Sequence, residues 1–246
     1  FYSVFSAPYG LDALEIPMGP GLTVEPERWL NLGRAVVIAN PNAQTGIALP
    51  VPDIERIVAA NPDRLVVADE AYVDFGAEST LPLVSRYKNL LVVRTYSKSR
   101  SLAGARLGFA IGDEGLIADL ERLKYSVNPY SVNSLSLAAG AAALSEDGYY
   151  MEKCAIIAEE REKLHAGLKE MGFKCTPSMA NFVLAEPPEG AEAERLFLAL
   201  RARGILVRYF GGGALSRCLR ITIGSPEQNA ALLAALPGAI EEVGRR

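Results

Sequence analysis

Three polar segments of this 246-residue sequence follow directly on runs of β-branched residues, and they contain the residue types that do chemistry. The segments are NPNAQTG at 40–46, DEAYVDF at 69–75 and TYSKSRSLAGARLG at 95–108. Ligands of open α/β sheets bind at the carboxyl ends of the strands. We therefore expect the three segments to meet at one edge of a sheet and to form a site there.

The third segment combines an amine with groups that suit a phosphate. Lys98 follows the run LLVVRTYS, so we expect its stem to be packed and its ammonium to be partly desolvated, which favours amine chemistry. Thr95 and Ser97 supply hydroxyls, and Arg106 supplies a planar fork of donors that suits phosphate. A surface lysine beside an ordinary loop of serines and arginines is the competing interpretation.

The second segment places a carboxylate at the end of the apolar run RLVVA. At such a position we expect Asp69 to be nearly buried, so that it needs a cation or a hydrogen-bond donor. Tyr72 offers a phenol three residues later. A pyridinium nitrogen is one partner for the acid and a ring hydroxyl is one partner for the phenol. The alternative is that Asp69 caps the start of a helix.

Short β-branched runs alternate with amphipathic stretches over the first part of the chain. Strands are predicted at 34–40, 64–69, 89–98 and 105–113, and helices at 52–61, 115–124 and 134–144. This alternation favours an α/β fold with a largely parallel sheet.

The pattern changes at Tyr149, where a long charged amphipathic helix begins and runs to a stop at Gly172. Short strands then occur in NFVLAE, GILVRYF and CLRITIG, with helices at 191–203 and 226–243. We therefore predict two domains, a large one at 1–148 and a smaller α+β domain at 149–246 that begins with the long helix.

Composition excludes several classes of protein. Half of the residues are hydrophobic, 22% are charged and the net charge is −4, which rules out a disordered tail or a collagen. Three widely spaced cysteines and one histidine predict neither disulfides nor a metal site. The sequence has no basic stripe for nucleic acid and no apolar run long enough for a membrane span. We expect a small-molecule partner and a soluble, cytoplasmic protein.

In this order and spacing, the three segments resemble those of the fold-type I pyridoxal-phosphate aminotransferases, most closely the histidinol-phosphate aminotransferase family. The family pattern is an Asn-Pro-rich loop, a strand ending in DEAY, and then T-x-S-K-x-x-x-L-A-G-x-R-x-G; the LRITIG segment near the C-terminus matches as well. The resemblance runs over essentially the whole chain. It implies a largely parallel sheet with helices on both faces, followed by a smaller C-terminal domain.

The resemblance also implies a pyridoxal 5′-phosphate site. In it, Lys98 is the catalytic residue and forms the internal aldimine, while Asp69 pairs with the pyridine nitrogen and keeps the ring an electron sink. Tyr72 is implied to hydrogen-bond the 3-hydroxyl of the ring. The residues implied to hold the phosphate of the cofactor are Thr95, Ser97 and Arg106.

Two arginines near the C-terminus match the substrate-anchoring arginines of the family. They are Arg208 in GILVRYF and Arg220 in CLRITIG, and they suit a substrate phosphate or carboxylate equally. Without the resemblance, each is as readily an exposed strand residue.

The sequence departs from the family pattern at two places. The usual loop is N-P-N-N-P-T-G, and Ala43 replaces the asparagine that contacts the ring hydroxyl, which leaves Asn42 or Tyr72 for that contact. Relatives also carry a further N-terminal third, which supplies helix amides for the phosphate and a tyrosine across the dimer. The resemblance places the aromatic residue that stacks on the ring just upstream of Phe1, so Tyr2 is not assigned that role.

The resemblance implies a ping-pong transamination in histidine biosynthesis, catalysed by a homodimer with histidinol phosphate as amino donor and 2-oxoglutarate as acceptor. One alternative is another aminotransferase of the same class that acts on aromatic amino acids, or an enzyme similar to threonine-phosphate decarboxylase. Another is a non-catalytic module that keeps the fold.

Overall fold

The strands of the structure, a computed structural model that describes residues 2–244, form two four-stranded sheets. The first sheet has the order β1-β2-β3-β4, and the second has the order β5-β6-β8-β7. Phe1, Arg245 and Arg246 lie outside the described residues. The strands are β1 (Val36–Ala39), β2 (Val66–Asp69), β3 (Leu90–Thr95), β4 (Gly108–Gly112), β5 (Lys174–Cys175), β6 (Phe182–Glu186), β7 (Arg208–Tyr209) and β8 (Leu219–Thr222).

Seven α-helices accompany these strands within residues 2–244. They are α1 (Tyr2–Ser6), α2 (Val51–Ala60), α3 (Glu114–Val127), α4 (Ser134–Ser145), α5 (Asp147–Glu170), α6 (Ala193–Ala202) and α7 (Pro226–Gly244). In this part of the chain, no helix is both long enough and apolar enough to span a membrane.

The first sheet brings the ends of its strands to one edge. Strands β1, β2 and β3 are parallel, and the register places Ala39 beside Asp69 and Asp69 beside Val93. Strand β4 runs antiparallel to β3, so the sheet is largely parallel, as predicted. Because β1 and β2 end together and β3 ends two residues farther along, the three polar segments that follow them lie near one another.

One face of the first sheet packs on α2. The side chains along β1 and β2 alternate between buried and half-buried positions, as expected for a strand with one face in the core. Val36, Ile38 and Val66 share a core cluster with Ile54 and Ile57 of α2. This packing holds β1 and β2 against α2 and so fixes where the C-terminal ends of the two strands lie.

The second sheet is antiparallel and packs against α5, α6 and α7. Its core cluster contains, among others, Leu164 and Leu168 from α5, Leu200 from α6 and Leu236 from α7. Helix α5 begins at Asp147, two residues earlier than predicted, and β7 is restricted to two residues of the predicted strand. The division of the chain into two domains at residue 148 stays a prediction.

A buried arginine, Arg161, connects α5 to a segment next to each of the two sheets. Nη1 of Arg161 donates hydrogen bonds to the carbonyl oxygen of Phe75 (2.8 Å) and to that of Ala180 (3.0 Å). Phe75 follows β2, and Ala180 precedes β6. The two acceptors compensate the desolvation of the guanidinium, so α5 holds the segment after β2 close to the second sheet.

Candidate functional site

Lys98 lies in a turn beyond the end of β3. Strand β3 ends at Thr95, and the turn is closed by the amide of Ser101, which donates to the carbonyl oxygen of Lys98 (3.1 Å). The Nζ atom lies 5.2 Å from the centroid of the Tyr72 ring, within the range of a cation–π contact. Lys98 is exposed, so the expectation of a partly desolvated ammonium is wrong. The reason is that the strand ends three residues before the lysine.

Asp69 is the last residue of β2, and both of its carboxylate oxygens accept hydrogen bonds. Oδ1 accepts from the amide of Ala71 (3.1 Å), and Oδ2 accepts from the hydroxyl of Tyr2. Burial, together with the hydrogen bond to Asp69 and the charge of that carboxylate, raises the pKa of Tyr2 above its ordinary value. Asp69 is half-buried, so it is less buried than the sequence predicts, but its carboxylate accepts hydrogen bonds as expected.

Tyr2 is a residue that the sequence interpretation left out of the site. Its hydroxyl reaches Asp69 across 67 positions of the chain, a contact that no local pattern predicts. The only signal in the sequence is the aromatic run FYSVF, in which Tyr2 lies. This contact is a hydrogen bond from the hydroxyl, and it does not assign Tyr2 a role in stacking on a ring.

A continuous series of aromatic and cationic contacts joins Lys98 to Arg220. Tyr72 is buried, and its ring meets that of Phe182 edge-on, with the centroids 5.3 Å apart. The guanidinium carbon of Arg220 lies 4.8 Å from the Phe182 centroid, and its Nη1 donates to the carbonyl oxygen of Ala43 (2.8 Å). The second sheet therefore brings one of the two predicted substrate arginines next to the loop after β1.

Arg208 lies opposite Arg220 in the pairing of β7 with β8. The guanidinium carbons of both arginines lie 5.5 Å from the centroid of Phe210. Arg208 is exposed, whereas Arg220 is half-buried. Two guanidinium groups around one ring concentrate positive charge, an arrangement that suits phosphate or carboxylate.

The loop after β1 is closed by its own asparagine. Oδ1 of Asn42 accepts hydrogen bonds from the amides of Gln44 and Thr45 (both 3.0 Å) and from the hydroxyl of Thr45 (3.2 Å). The carboxamide oxygen of Asn42 therefore stabilises the turn. A contact between Asn42 and a cofactor ring stays a prediction.

The same loop also contacts the second sheet. The hydroxyl of Thr176 donates to the carbonyl oxygen of Thr45 (2.6 Å), and the amide of Met179 donates to that of Gly46 (2.8 Å). Gly46 has a φ of 72°, and a Cβ atom there would lie 2.1 Å from Oγ of Ser178. Only glycine meets both conditions, so the close approach of the two segments depends on it.

The predicted phosphate residues lie at the end of β3 and between β3 and β4. Oγ1 of Thr95 accepts from the amide of Ser97 (3.1 Å), which brings these two residues together. Arg106 adopts a φ of 54°, a left-handed conformation that is uncommon for a residue other than glycine. Its Nη1 donates to the carbonyl oxygen of Ala103 (3.0 Å), so the guanidinium lies over its own turn.

These side chains fit the chemistry of pyridoxal phosphate, the cofactor that the resemblance implies. An exposed amine lies on the face of a phenol ring at Lys98 and Tyr72, and the carboxylate of Asp69 already accepts a hydrogen bond from a neutral donor, as it would from a protonated ring nitrogen. Within residues 2–244, no group of three or more histidine, cysteine and acidic side chains is arranged to hold a metal ion.

Comparison with known proteins gives consistent matches. Residues 30–236 match the family described as "Aminotransferase class I and II". The histidinol-phosphate aminotransferase of Acinetobacter baumannii is 46% identical over 236 residues, which cover 96% of this chain and 65% of the relative. The histidinol-phosphate aminotransferase 1 of Pseudomonas aeruginosa is 45% identical and is covered over 67% of its length. The chain thus spans about two thirds of the length of these relatives.

Solved structures match over nearly the whole chain. The crystal structure of histidinol-phosphate aminotransferase from Sinorhizobium meliloti, in complex with pyridoxal-5′-phosphate, superposes with a TM-score of 0.86 at 26% identity. The match covers 98% of this chain and 67% of that one. This similarity confirms the predicted α/β fold class.

Proposed function

The chain belongs to the aminotransferase class I and II family, and from this we propose that the complete protein is a pyridoxal-phosphate-dependent aminotransferase that acts on histidinol phosphate. The names of its relatives support this substrate. The proposal includes 2-oxoglutarate as acceptor, ping-pong kinetics, a homodimer, and a cytoplasmic place in histidine biosynthesis.

The observation that carries the proposal is the series of contacts from Lys98 through Tyr72 and Phe182 to Arg220. It joins a free amine at the end of one sheet to an anion-binding group on the other. Transamination of an amino compound that carries an anionic group needs an amine for the reaction and a cation that binds the anionic group. Both must lie in the same site. An ordinary surface lysine, the competing interpretation, would not lie on the buried phenol of the DEAY segment.

In this proposal, Asp69 binds the ring nitrogen of the cofactor and Tyr72 binds the ring hydroxyl. The phosphate is held by Thr95, Ser97 and Arg106. When bound, the cofactor supplies an electron sink for the negative charge that develops at the substrate Cα.

Lys98 performs the proton transfer of the reaction. Its Nζ would accept the proton from the substrate Cα and donate it to C4′ of the bound cofactor, a contribution of roughly 10²–10⁴-fold to the rate. Arg208 and Arg220 bind the substrate phosphate or carboxylate and so hold the Cα within reach of Nζ. Positioning of this kind converts binding energy into rate.

The first test is a titration of the full-length protein with pyridoxal phosphate, followed by borohydride reduction and peptide mapping. We expect a saturating visible absorbance and a label on Lys98. Replacement of Lys98 by alanine should remove the label and lower kcat by roughly 10²–10⁴-fold, because the proton acceptor is lost. Lys88→Ala is the matched control, since Lys88 is an exposed lysine at the other end of β3. A label on any other lysine would overturn the site.

The substrate is tested separately by comparing rates with histidinol phosphate and with phenylalanine. We expect a clear preference for the phosphate ester, and Arg208→Gln and Arg220→Gln should reduce it. Equal rates would favour an aminotransferase for aromatic amino acids instead. Release of carbon dioxide from threonine phosphate would favour a decarboxylase.

A further inference from the structure

A series of buried and half-buried charged side chains lies next to the predicted cofactor residues and has no part in the function proposed above. It begins at Glu70, whose side chain is fully buried. Oε1 accepts from the amide (2.6 Å) and the hydroxyl (2.7 Å) of Thr80, and Oε2 accepts from the hydroxyl of Ser79 (2.8 Å) and from Nη2 of Arg94 (3.0 Å). These donors compensate the burial of the carboxylate.

The series continues from Arg94 to Asp74. Nη1 of Arg94 lies 3.4 Å from Oδ1 of Asp74. The other oxygen of Asp74, Oδ2, accepts from the hydroxyl of Ser99 (2.5 Å) and lies 3.7 Å from Nη1 of Arg100. Asp74 therefore contacts the two residues that directly follow Lys98.

Arg100 is the least satisfied member of the series. Its side chain is only 11% exposed, and its Nη1 is buried without a hydrogen-bond partner among residues 2–244. Its Nη2 pairs with Asp147, the first residue of α5, and its guanidinium carbon lies 5.4 Å from the centroid of Tyr150. A buried cation with an unpaired donor costs stability, and an apolar side chain of similar size often packs better. Stability alone therefore does not account for an arginine here.

The contacts of Asp74 join two segments that are far apart in sequence. Asp74 lies two residues after Tyr72 and five after Asp69, while Ser99 and Arg100 follow Lys98 directly. Lys98 itself is exposed, and its neighbours Ser99 and Arg100 are the anchored part of its turn.

We propose that Asp74 and Arg100 are positioning residues that hold the Lys98 turn against the segment of Asp69 and Tyr72, and that Arg100 ties this turn to the start of α5. The inference rests on the proposed function for the reaction that Lys98 performs, but the anchoring of the turn is independent of it. Neither residue belongs to the set proposed to bind substrate or cofactor. Each acts through the placement of the Lys98 Nζ.

The test uses the full-length protein with Arg100→Met, Arg100→Lys and Asp74→Asn. Arg122→Met is the control, because Arg122 forms an exposed ion pair with Asp119 on α3. The first measurement is competitive labelling of the cofactor-free protein with trace acetic anhydride, read as the ratio of label on Lys98 to label on Lys88. Arg100→Met and Asp74→Asn should change this ratio by about twofold or more, whereas the control should not.

The second measurement separates positioning from folding. With saturating cofactor, Arg100→Met should lower kcat by roughly 10²-fold, the cost of a misplaced reacting group, with little change in KM. The kcat of Arg100→Lys should lie between those of Arg100→Met and the wild type, because lysine keeps a positive charge beside Asp74. If Arg100→Met does not fold, Ser99→Ala replaces it in the test, because this variant removes only a single hydroxyl. It should shift the ratio of label on Lys98 to label on Lys88 in the same direction as Asp74→Asn does.

The outcomes distinguish this inference from the proposed function. A lower thermal midpoint with an unchanged labelling ratio and an unchanged kcat would show that Arg100 and Asp74 are structural only, and would overturn the inference. A wild-type protein that binds no pyridoxal phosphate at Lys98 would instead overturn the proposed function. In that case the labelling ratio alone still decides whether the turn is anchored as proposed.

Discussion

The two sheets are stabilised in different ways. The core cluster of the second sheet is apolar, and four consecutive residues of β6, Phe182 to Ala185, are buried. The first sheet ends instead in an ion pair between the buried Glu70, directly after β2, and the half-buried Arg94 within β3. Burial of charge costs free energy that apolar packing does not. Buried charge also occurs on α5, at Glu160 and Arg161, so the two regions differ in where their charges lie. Those of the first sheet lie at its strand ends, where the reaction is proposed.

The helices of the two regions differ as well. Helix α2 packs into the core of the first sheet, but no residue of α3 is buried. Leu123 in α3, Tyr130 in the loop after α3 and Leu135 in α4 are more than half exposed. By contrast, α6 and α7 bury Leu200 and Leu236 completely. Apolar burial is the main source of stability in a domain. We therefore expect the second region to be the more stable part of the chain.

The largest expected effect on stability is that of Glu70→Ala. It leaves Arg94 without its main partner and opens a cavity, so the free energy of unfolding should fall by about 4 kcal/mol. Urea unfolding of the variant, followed by circular dichroism, measures the loss. Glu78→Ala is the control, because Glu78 is exposed in the same segment. If Glu70→Ala and Glu78→Ala lowered the free energy of unfolding equally, the buried ion pair would not be what stabilises the end of the first sheet.

The apolar core of the second region is tested by Leu200→Ala. Leu200 is fully buried, and its truncation should cost about 3 kcal/mol in the free energy of unfolding. Leu206, which is 79% exposed, provides the control, and Leu206→Ala should change stability by no more than about 0.5 kcal/mol. The same urea titration compares the two. A small loss for Leu200→Ala would show that this core is loosely packed.

The smallest effect concerns Glu160, a buried acid of α5 that accepts a hydrogen bond from Asn229 of α7. Hydrogen bonds from Lys163 and Asn229 hold the pKa of Glu160 below its ordinary value of 4.5. Because this pKa is depressed in the folded state, the stabilisation is present above pH 4.5 and is lost as the pH falls through the folded value. Glu160→Gln should therefore weaken the loss of stability on acidification below that pH.

Thermal unfolding at a series of pH values between neutrality and acid measures this dependence. The exposed neighbour Glu159 gives the matched variant, Glu159→Gln, which should retain the acid sensitivity of the wild type. A parallel pH dependence in wild type and Glu160→Gln would contradict the assignment.

Much of the fold follows from local patterns in the sequence. The β-branched runs place β1, β2 and β3 within a few residues of their observed ends, because strand propensity and alternation act over neighbouring residues. Helices α3 and α4 are capped at their N-termini by Asp113 and Asn133, whose side chains accept from amides in the first turn, a signal that is also local. Strand β7 is shorter than predicted because its partner β8 pairs with only two of its residues.

The sequence by itself determined the three polar segments, their order and the types of side chain in them, because each segment is a short local pattern. Tertiary structure decided which of these side chains meet. Tyr2 reaches Asp69 across 67 positions, and Arg220 reaches Ala43 across 177. The exposure of Lys98 and the link from Asp74 to Arg100 were likewise decided by the way the sheets and α5 pack together. Such contacts depend on packing between distant segments, and no pattern of neighbouring residues encodes them.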